Sequence, residues 1–189
     1  MIPDTSRSHD EISRLVDNLL LGDGQPLMQQ ARAMQAEGGR FLDIAVQLID
    51  PVLVEVGERW AGRDVSVGHE HLATALCQQV VSYLRMELPR PDPETAPVAV
   101  VSCGPYERHS LGAEIVAGVL QDAGWRVAYL GADTPPEGVV AIMEEWMASL
   151  VALSVGTVTA VPETAELVEW IKDRHPGCRV VVGGQAAEM

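Results

Sequence analysis

The residues most able to bind a ligand or to do chemistry lie in one histidine-bearing loop. The apolar run 98–101 predicts a buried strand, and the segment Cys103-Gly-Pro-Tyr-Glu107-Arg-His109-Ser-Leu-Gly112 follows it. In open α/β folds, the loops at the carboxyl ends of parallel strands bind the ligands. The sequence therefore predicts that His109 meets a ligand. The alternative is a loop histidine whose nitrogens are satisfied by nearby backbone.

Two further features follow this loop. Between Gly112 and Ser154, which ends an apolar run, lie 41 residues, and Gly183-Gly184 ends another apolar run. Taken singly, each feature is often only a turn. Together with Glu107-x-His109-x-x-Gly112, they resemble the cobalamin-binding signature, which is Asp-x-His-x-x-Gly followed at similar distances by a serine and a Gly-Gly pair.

The resemblance implies a role for each of these residues. His109 would ligate cobalt from below in place of the cofactor's own dimethylbenzimidazole base, and Glu107 would hold the other imidazole nitrogen. The displaced base would enter a slot in the sheet lined by Gly112, Ser154, Gly183 and Gly184. Two positions depart from the pattern, since Glu107 stands where aspartate is commoner and Gly156 stands where leucine is expected. Neither departure removes a required functional group.

A second group of candidate residues is Trp60, Glu70 and His71. Trp60 ends one helical pattern, and Ser66 is expected to cap the next helix, which places Glu70 and His71 in its first turns. The spacing Trp-x9-Glu-His resembles the CarH-type light-sensing regulators, in which a four-helix cap covers the upper face of adenosylcobalamin. This resemblance covers about residues 10–184 and implies that the three side chains shield the upper axial ligand. The residues alone leave open a core tryptophan beside a solvated pair at a helix start.

The elements that must carry these residues differ between the two halves of the chain. In the first half, apolar residues recur at helical spacing and little of the sequence favours strands. The predicted helices run from about Asp10–Leu21, Gln25–Gln35, Phe41–Trp60 and Ser66–Leu88. Pro51 predicts a kink or a junction in the third helix. Because the connections are short, residues 1–88 are predicted to form a four-helix bundle, the cap domain.

The second half is predicted to be an α/β domain. Four prolines within residues 89–97 predict a semi-rigid linker before it. Apolar runs and helical segments then alternate over residues 98–189, which predicts a Rossmann-like, flavodoxin-like parallel sheet. The predicted elements are Val98–Ser102, Ser110–Ala123, Val127–Leu130, Pro136–Met147, Leu150–Ser154, Pro162–Arg174 and Val180–Val182. Such domains usually continue past the Gly-Gly pair, so we expect a truncated sequence or a last sheet edge covered by another segment.

The composition of the chain limits the kinds of partner that it is expected to bind. With 13 Lys and Arg against 27 Asp and Glu, the net charge is -14, and no basic cluster interrupts it. Direct nucleic-acid binding is therefore not expected. Three isolated cysteines, no leader pattern and no apolar run near the roughly 20 residues of a membrane span indicate a cytoplasmic protein.

The N-terminus bears on the kind of partner. CarH-type repressors begin with a DNA-binding domain, whereas about nine residues precede the first predicted helix. We therefore expect a stand-alone module that acts on a transcriptional regulator or another signalling protein. Assembly into a homo-oligomer stays open.

The leading hypothesis is a cobalamin-binding, light-sensing regulatory protein that is not an enzyme and uses adenosylcobalamin as chromophore. The runner-up is a corrinoid carrier subunit of a methyltransferase system, which would carry methylcobalamin. A mutase subunit would need a large partner chain to supply its catalytic barrel. A receiver domain without cobalamin would place acidic residues at the end of its first strand, where Ser102 and Cys103 stand.

Overall fold

The structure is a computed structural model that describes residues 9–187. It divides into two compact units at the Glu87–Leu88 junction. Residues 1–8, where no DNA-reading element is expected, and 188–189, the end of the predicted α/β half, lie outside the described residues. Every predicted site residue lies within the described range.

The described part of the first unit is helical. Its α-helices are α1 (His9–Leu20), α2 (Gln25–Ala36), α3 (Phe41–Ile44), α4 (Asp50–Ala61) and α5 (Val67–Met86). Helix α1 packs on α4 and α5, while α2 packs on α3 and α5. Their apolar faces are buried, as Leu19 of α1 and Val52 of α4 illustrate with no exposed surface. The helical prediction is confirmed, with ends that differ by at most two residues.

The third predicted helix changes type along its length. A π-helical segment, Ala45–Ile49, connects α3 to α4, and Pro51 lies in the first turn of α4. Proline has no backbone N–H, so Pro51 cannot donate the hydrogen bond that would continue the α-helical pattern. Wider π turns are one way in which a helix absorbs such an interruption. The junction expected at Pro51 is therefore a local change of helix type.

A buried carboxylate joins α1 to α4. Glu55 is 8% exposed and accepts hydrogen bonds from Ser13 Oγ at 2.7 Å and from Arg59 Nη2 at 2.5 Å. Arg59 also pairs with Asp17 at 2.6 Å, and this hydrogen bond raises the pKa of Arg59 above its ordinary value despite partial burial. One guanidinium thus neutralises two carboxylates on neighbouring helices.

Replacing Arg59 with alanine is expected to lower the free energy of unfolding of the helical unit by about 2 kcal/mol, because it leaves Glu55 charged and buried. Hydrogen exchange of slow amides in α1 and α4 measures this change in the full chain. Arg14→Ala removes the same charge from an exposed position of α1 and should cost less than about 0.5 kcal/mol. Equal effects of the two substitutions would contradict this role of Arg59.

The second unit is a parallel α/β sheet. Its strands are β1 (Val98–Cys103), β2 (Arg126–Gly131), β3 (Leu150–Ser154) and β4 (Arg179–Gly183), in the order β2-β1-β3-β4. The connecting helices are α6 (Leu111–Asp122), α7 (Pro136–Glu145) and α8 (Val161–Arg174). The predicted α/β class is confirmed. Helix α7 ends two residues earlier than predicted, since Met147 adopts a left-handed φ of 52° that cannot continue a helix.

Two cores lie on opposite faces of this sheet. Because side chains alternate along a strand, Val100 packs with α7 and α8, whereas Val101 packs with α6. The order of the strands reverses between β1 and β3, and open α/β sheets bind ligands at such a reversal. The loop that carries His109 leaves the carboxyl end of β1 at this point.

The prolines of the predicted linker lie in a segment without helix or strand, residues 89–97. Asp92 stabilises a turn there by accepting hydrogen bonds from Glu94 N and Thr95 Oγ1, both at 2.9 Å. The bond from Glu94 is the main reason why the pKa of Asp92 lies below its ordinary value. Among the described helices of the chain, none combines the length and apolarity that crossing a bilayer requires.

Candidate cofactor-binding site

The histidine loop is folded tightly against the end of the sheet. Gly104 N donates to the carbonyl of Ser154 at 2.9 Å, which ties the start of the loop to the end of β3. A Cβ at Gly104 would lie 2.1 Å from Thr164 Oγ1, so this close approach requires glycine. Tyr106 then turns the chain with a left-handed φ of 63°. The turn carries Glu107 inward, where it is fully buried.

The carboxylate of Glu107 is the centre of the site. Its Oε1 accepts hydrogen bonds from the backbone N–H of His109 at 2.9 Å and from His109 Nδ1 at 2.6 Å. Its Oε2 accepts from Gly156 N and Thr157 N, both at 2.7 Å, and from Thr157 Oγ1 at 3.0 Å. Both oxygens are therefore saturated by donors from the loops after β1 and β3.

These donors decide the charge of Glu107. Burial alone would raise the pKa of its carboxyl group, but the hydrogen bonds from His109, Thr157 and Gly156 outweigh burial and lower the pKa to about 2. Glu107 is thus ionised at neutral pH and can only accept hydrogen bonds. The hydrogen between the two side chains consequently belongs to Nδ1 of His109, which leaves Nε2 as the nitrogen that can present a lone pair to a ligand.

The imidazole of His109 is held at one nitrogen and open at the other. Its side chain is 76% exposed, in contrast to the buried carboxylate that holds it. A ring oriented through Nδ1 by a carboxylate is the arrangement found when Nε2 ligates a metal. Nearby, burial and then the charge of Glu107 raise the pKa of Cys103 to about 11, so this thiol stays protonated.

A narrow cavity lies beside the loop, along the α6 face of the sheet. Its volume is about 170 Å³, and its lining is mostly apolar. The four residues predicted to line a slot, Gly112, Ser154, Gly183 and Gly184, all border this cavity. An apolar protein cavity of roughly 150 Å³ can hold benzene. The slot therefore has room for a flat aromatic ring.

The glycines around the cavity are needed for different structural reasons. A Cβ at Gly112 would lie 3.5 Å from Ser154 Oγ, and one at Gly183 would meet nothing within 4 Å. Gly184 has φ of 107°, and its Cβ would lie 2.5 Å from the carbonyl oxygen of Val155. Gly184 is therefore required by the backbone, whereas Gly112 and Gly183 keep the slot open.

The two departures from the cobalamin signature meet in space. Gly156 N donates to Glu107 Oε2, and a Cβ at position 156 would lie 3.3 Å from that oxygen. The longer acid at position 107 thus reaches a backbone that carries no side chain in its way. The sequence shows both changes, but only the pairing of β1 with β3 brings them together.

The residues predicted on the helical unit are placed as follows. Trp60 lies in the last turn of α4 and is 50% exposed. Glu70 and His71 lie in the first two turns of α5, with Glu70 Oε2 2.5 Å from His71 Nδ1 and Glu70 Oε1 2.9 Å from Thr74 Oγ1. The predicted N-cap is confirmed, since Ser66 Oγ accepts from the backbone of His69. His69, which has no role in the sequence prediction, completes this cap through Nδ1.

Sequence reasoning missed two residues of the site. Thr157 donates twice to Glu107, and Asp133 binds the backbone of the histidine loop. Thr157 follows Ser154 closely, so its place at the end of β3 was the available signal. Asp133 lies beyond β2 and carried no signal apart from its position near a strand end.

The fold and the site together define a doubly wound α/β domain with a histidine-bearing ligand site, preceded by a helical unit. Residues 97–189 match the B12 binding domain family, and residues 11–85 match a second B12 binding domain family. These matches cover most of the chain. The chain therefore belongs to the B12-binding proteins that carry both domains, and it is a cobalamin-binding protein.

Two curated relatives illustrate the range of this group. The HTH-type transcriptional repressor CarA of Myxococcus xanthus is 35% identical over 94% of this chain and 54% of its own length. The trimethylamine corrinoid protein of Methanosarcina barkeri is 27% identical over 69% of this chain and 62% of its own length. The chain thus spans only about half to three fifths of these relatives.

A solved structure shares the fold. The monomethylamine corrinoid protein of Methanosarcina barkeri aligns with a TM-score of 0.72, covering 95% of this chain and 86% of its own. Its sequence identity is 16%, so the likeness concerns the fold alone.

Proposed function

We propose that this chain is a light-sensing regulatory protein that is not an enzyme, with adenosylcobalamin as chromophore and His109 as lower axial cobalt ligand. The observation that carries the proposal is the Glu107–His109 pair. A buried, ionised carboxylate 2.6 Å from Nδ1 leaves Nε2 as the nitrogen available to a metal. When bound, adenosylcobalamin supplies a cobalt–carbon bond that visible light cleaves.

The chain's own residues would divide the work of holding the cofactor. His109 would bind cobalt, and Glu107 would fix the tautomer and orientation of the imidazole. The slot of about 170 Å³ would receive the displaced dimethylbenzimidazole base, with Ser154 offering a hydroxyl and the glycines giving room. The observed cavity supports this assignment because a Cβ at Gly183 would enter space that the protein leaves empty.

The helical unit would respond to the upper axial ligand. Trp60 is half exposed although it is a large aromatic residue, and Glu70 and His71 form a polar pair. We propose that these three side chains shield the adenosyl group and that their contacts change when it leaves. Such a difference in contacts is the requirement for a ligand to shift a conformational equilibrium.

The output would be a change in affinity for a protein partner in the cytoplasm, a transcriptional regulator or another signalling protein. The net charge of -14 disfavours direct contact with nucleic acid. Cys77, Cys103 and Cys178 are all free thiols, which favours a reducing compartment. The 35% identity to the repressor CarA across 94% of the chain supports a regulatory role.

The second candidate is a corrinoid carrier for a methyltransferase. The 27% identical trimethylamine corrinoid protein favours it. A carrier must expose cobalt to its partner enzymes, whereas a sensor must protect the adenosyl group. The half-exposed Trp60, at the spacing from Glu70 and His71 that resembles light sensors, favours the sensor.

His109→Ala tests the ligand assignment in the full chain loaded with cobalamin in the dark. The variant should lose imidazole-coordinated cobalamin, and its affinity should fall by about 10- to 100-fold. Absorption spectra and equilibrium dialysis measure both effects. His175→Ala, which removes a histidine paired with Glu144 away from the loop, is the control. Imidazole-coordinated cobalamin in purified His109→Ala would contradict the assignment.

Illumination of the loaded wild-type chain separates the two functions. Alkylcobalamins lose their cobalt–carbon bond in light even when free, so the measurement is the response of the protein. In a sensor, light-driven loss of the adenosylcobalamin spectrum without any substrate should change the hydrogen exchange of amides in α4 and α5. Unchanged exchange, together with methyl transfer from methylcobalamin to a partner methyltransferase, would instead support the carrier.

A further inference from the structure

Asp133, a residue outside the cobalamin signature, forms hydrogen bonds with the backbone of the histidine loop. Asp133 lies between β2 and α7, and its backbone N–H donates to the carbonyl of Glu107 at 2.9 Å. Its Oδ1 accepts from the backbone N–H of Tyr106 at 3.0 Å. The side chain and the backbone amide of Asp133 therefore hold two consecutive residues of the loop.

Both partners in this contact have unusual backbones. Tyr106 has φ of 63° and Asp133 has φ of 50°, and neither is glycine. The left-handed region is unfavourable for most residues, although aspartate and asparagine tolerate it better than others. Such conformations persist where surrounding contacts determine them, and they cluster at functional sites. Here the hydrogen bond from Tyr106 to Asp133 joins the two left-handed residues directly.

The contact completes the immobilisation of Glu107. Gly156 and Thr157 fix one end of this residue, the carboxylate. At the other end, the backbone N–H of Glu107 donates to the carbonyl of Gly104 at 3.1 Å, and its own carbonyl accepts from the backbone N–H of Asp133. The Asp133 carboxylate adds the bond to Tyr106 N, which holds the residue just before Glu107. Because Glu107 is held on both sides, the position of Oε1, and with it that of the His109 ring, is set.

Asp133 has no evident role in the core. It is exposed, and its two hydrogen bonds to the loop are made from the surface. Both of its bonds go to Tyr106 and Glu107, the two consecutive residues at the turn that leads to His109.

We propose that Asp133 is a positioning residue that orients the His109 imidazole for cobalt through the Tyr106–Glu107 backbone. The inference rests on the proposed function, since it takes His109 as the lower ligand. It adds a residue from the loop after β2 to a site that the signature confines to the loops after β1, β3 and β4. It acts through backbone hydrogen bonds and needs no contact with the cofactor.

The test uses the full chain labelled with ¹⁵N-histidine and loaded with cob(II)alamin. In the electron paramagnetic resonance spectrum, an axial ¹⁵N nucleus splits each cobalt line into two, whereas the ¹⁴N of dimethylbenzimidazole splits it into three. Wild type should show the two-line pattern of histidine. In Asp133→Ala, the ratio of histidine-coordinated to histidine-free cobalt should fall about tenfold.

Two further variants separate positioning from strain. Asp133→Asn keeps an acceptor and tolerates the left-handed backbone, so it should restore the histidine pattern. Asp133→Gly removes the strain but also the acceptor, so it should lose histidine coordination like the alanine variant. In the cofactor-free protein, the Tyr106 amide should exchange with solvent faster in both the alanine and glycine variants than in the asparagine variant.

The outcomes distinguish a failure of this inference from a failure of the proposed function. Wild type without the two-line pattern would overturn the ligand assignment and this inference together. A wild-type pattern that persists in Asp133→Ala and Asp133→Gly would overturn this inference alone. If the alanine variant fails to fold, an asparagine variant without histidine coordination overturns it equally.

Discussion

Replacing Glu107 with glutamine is expected to lower the free energy of unfolding of the α/β unit by about 3 kcal/mol at pH 7. The carboxylate accepts from His109, Gly156 and Thr157 through both of its oxygens. Glutamine turns an NH₂ group towards some of these donors, and buried donors without acceptors are costly. Hydrogen exchange of slow amides in β1 and β3 of the cofactor-free chain measures the loss.

The same substitution should change the response to acid. The pKa of Glu107 falls from an ordinary 4.5 to about 2 on folding. A depressed carboxyl pKa stabilises the fold above the unfolded value and loses this effect as the pH falls through the folded value. The advantage of wild type over Glu107→Gln should therefore be complete above pH 4.5 and shrink steadily towards pH 2.

An exposed carboxylate provides the control for both measurements. Glu169→Gln in α8 should alter stability by less than about 0.5 kcal/mol at pH 7. If Glu107→Gln proved equally mild, or if its effect did not change between pH 7 and pH 2, the ionised state of the buried carboxylate would be wrong.

The architecture of the chain follows from features that a sequence displays locally. Apolar runs such as 98–101 and 150–153 predict buried parallel strands because both faces of the sheet are covered. Helical spacing and Gly or Pro boundaries predict the intervening helices, and the predicted ends lie within two residues of the observed ones. The π-helical segment 45–49 was harder to foresee, since Pro51 predicts an interruption but not its form.

The site was predictable only where one motif contains its parts. Glu107 and His109 lie two residues apart, so their contact follows from local geometry. Thr157 lies 50 residues from Glu107 along the chain, and their contact depends on the pairing of β1 with β3. Asp133 depends in addition on two left-handed residues. Periodicity predicts strands and helices but does not specify the conformations of the loops between them.

The Gly183-Gly184 pair allows folding and cofactor binding to be separated by two neighbouring substitutions. Gly184→Ala is expected to destabilise the α/β unit by about 3 kcal/mol. Its φ of 107° is unfavourable for alanine, and the new Cβ would lie 2.5 Å from the oxygen of Val155, which is backbone and cannot rotate away. Hydrogen exchange of slow amides in β3 measures the effect.

Gly183→Ala should have the opposite effect, in that it should weaken cobalamin binding and leave the stability of the fold nearly unchanged. A Cβ at position 183 meets nothing within 4 Å, so stability should change by less than about 1 kcal/mol. Since side chains alternate along β4, this Cβ shares the face of Val181 and enters the slot beside Ser154. Cobalamin affinity, measured by dialysis, should fall about tenfold because the base would be crowded. The backbone requires glycine at position 184, whereas the ligand requires it at position 183. A Gly184→Ala variant as stable as wild type would contradict the first statement. A Gly183→Ala variant that binds cobalamin like wild type would contradict the second.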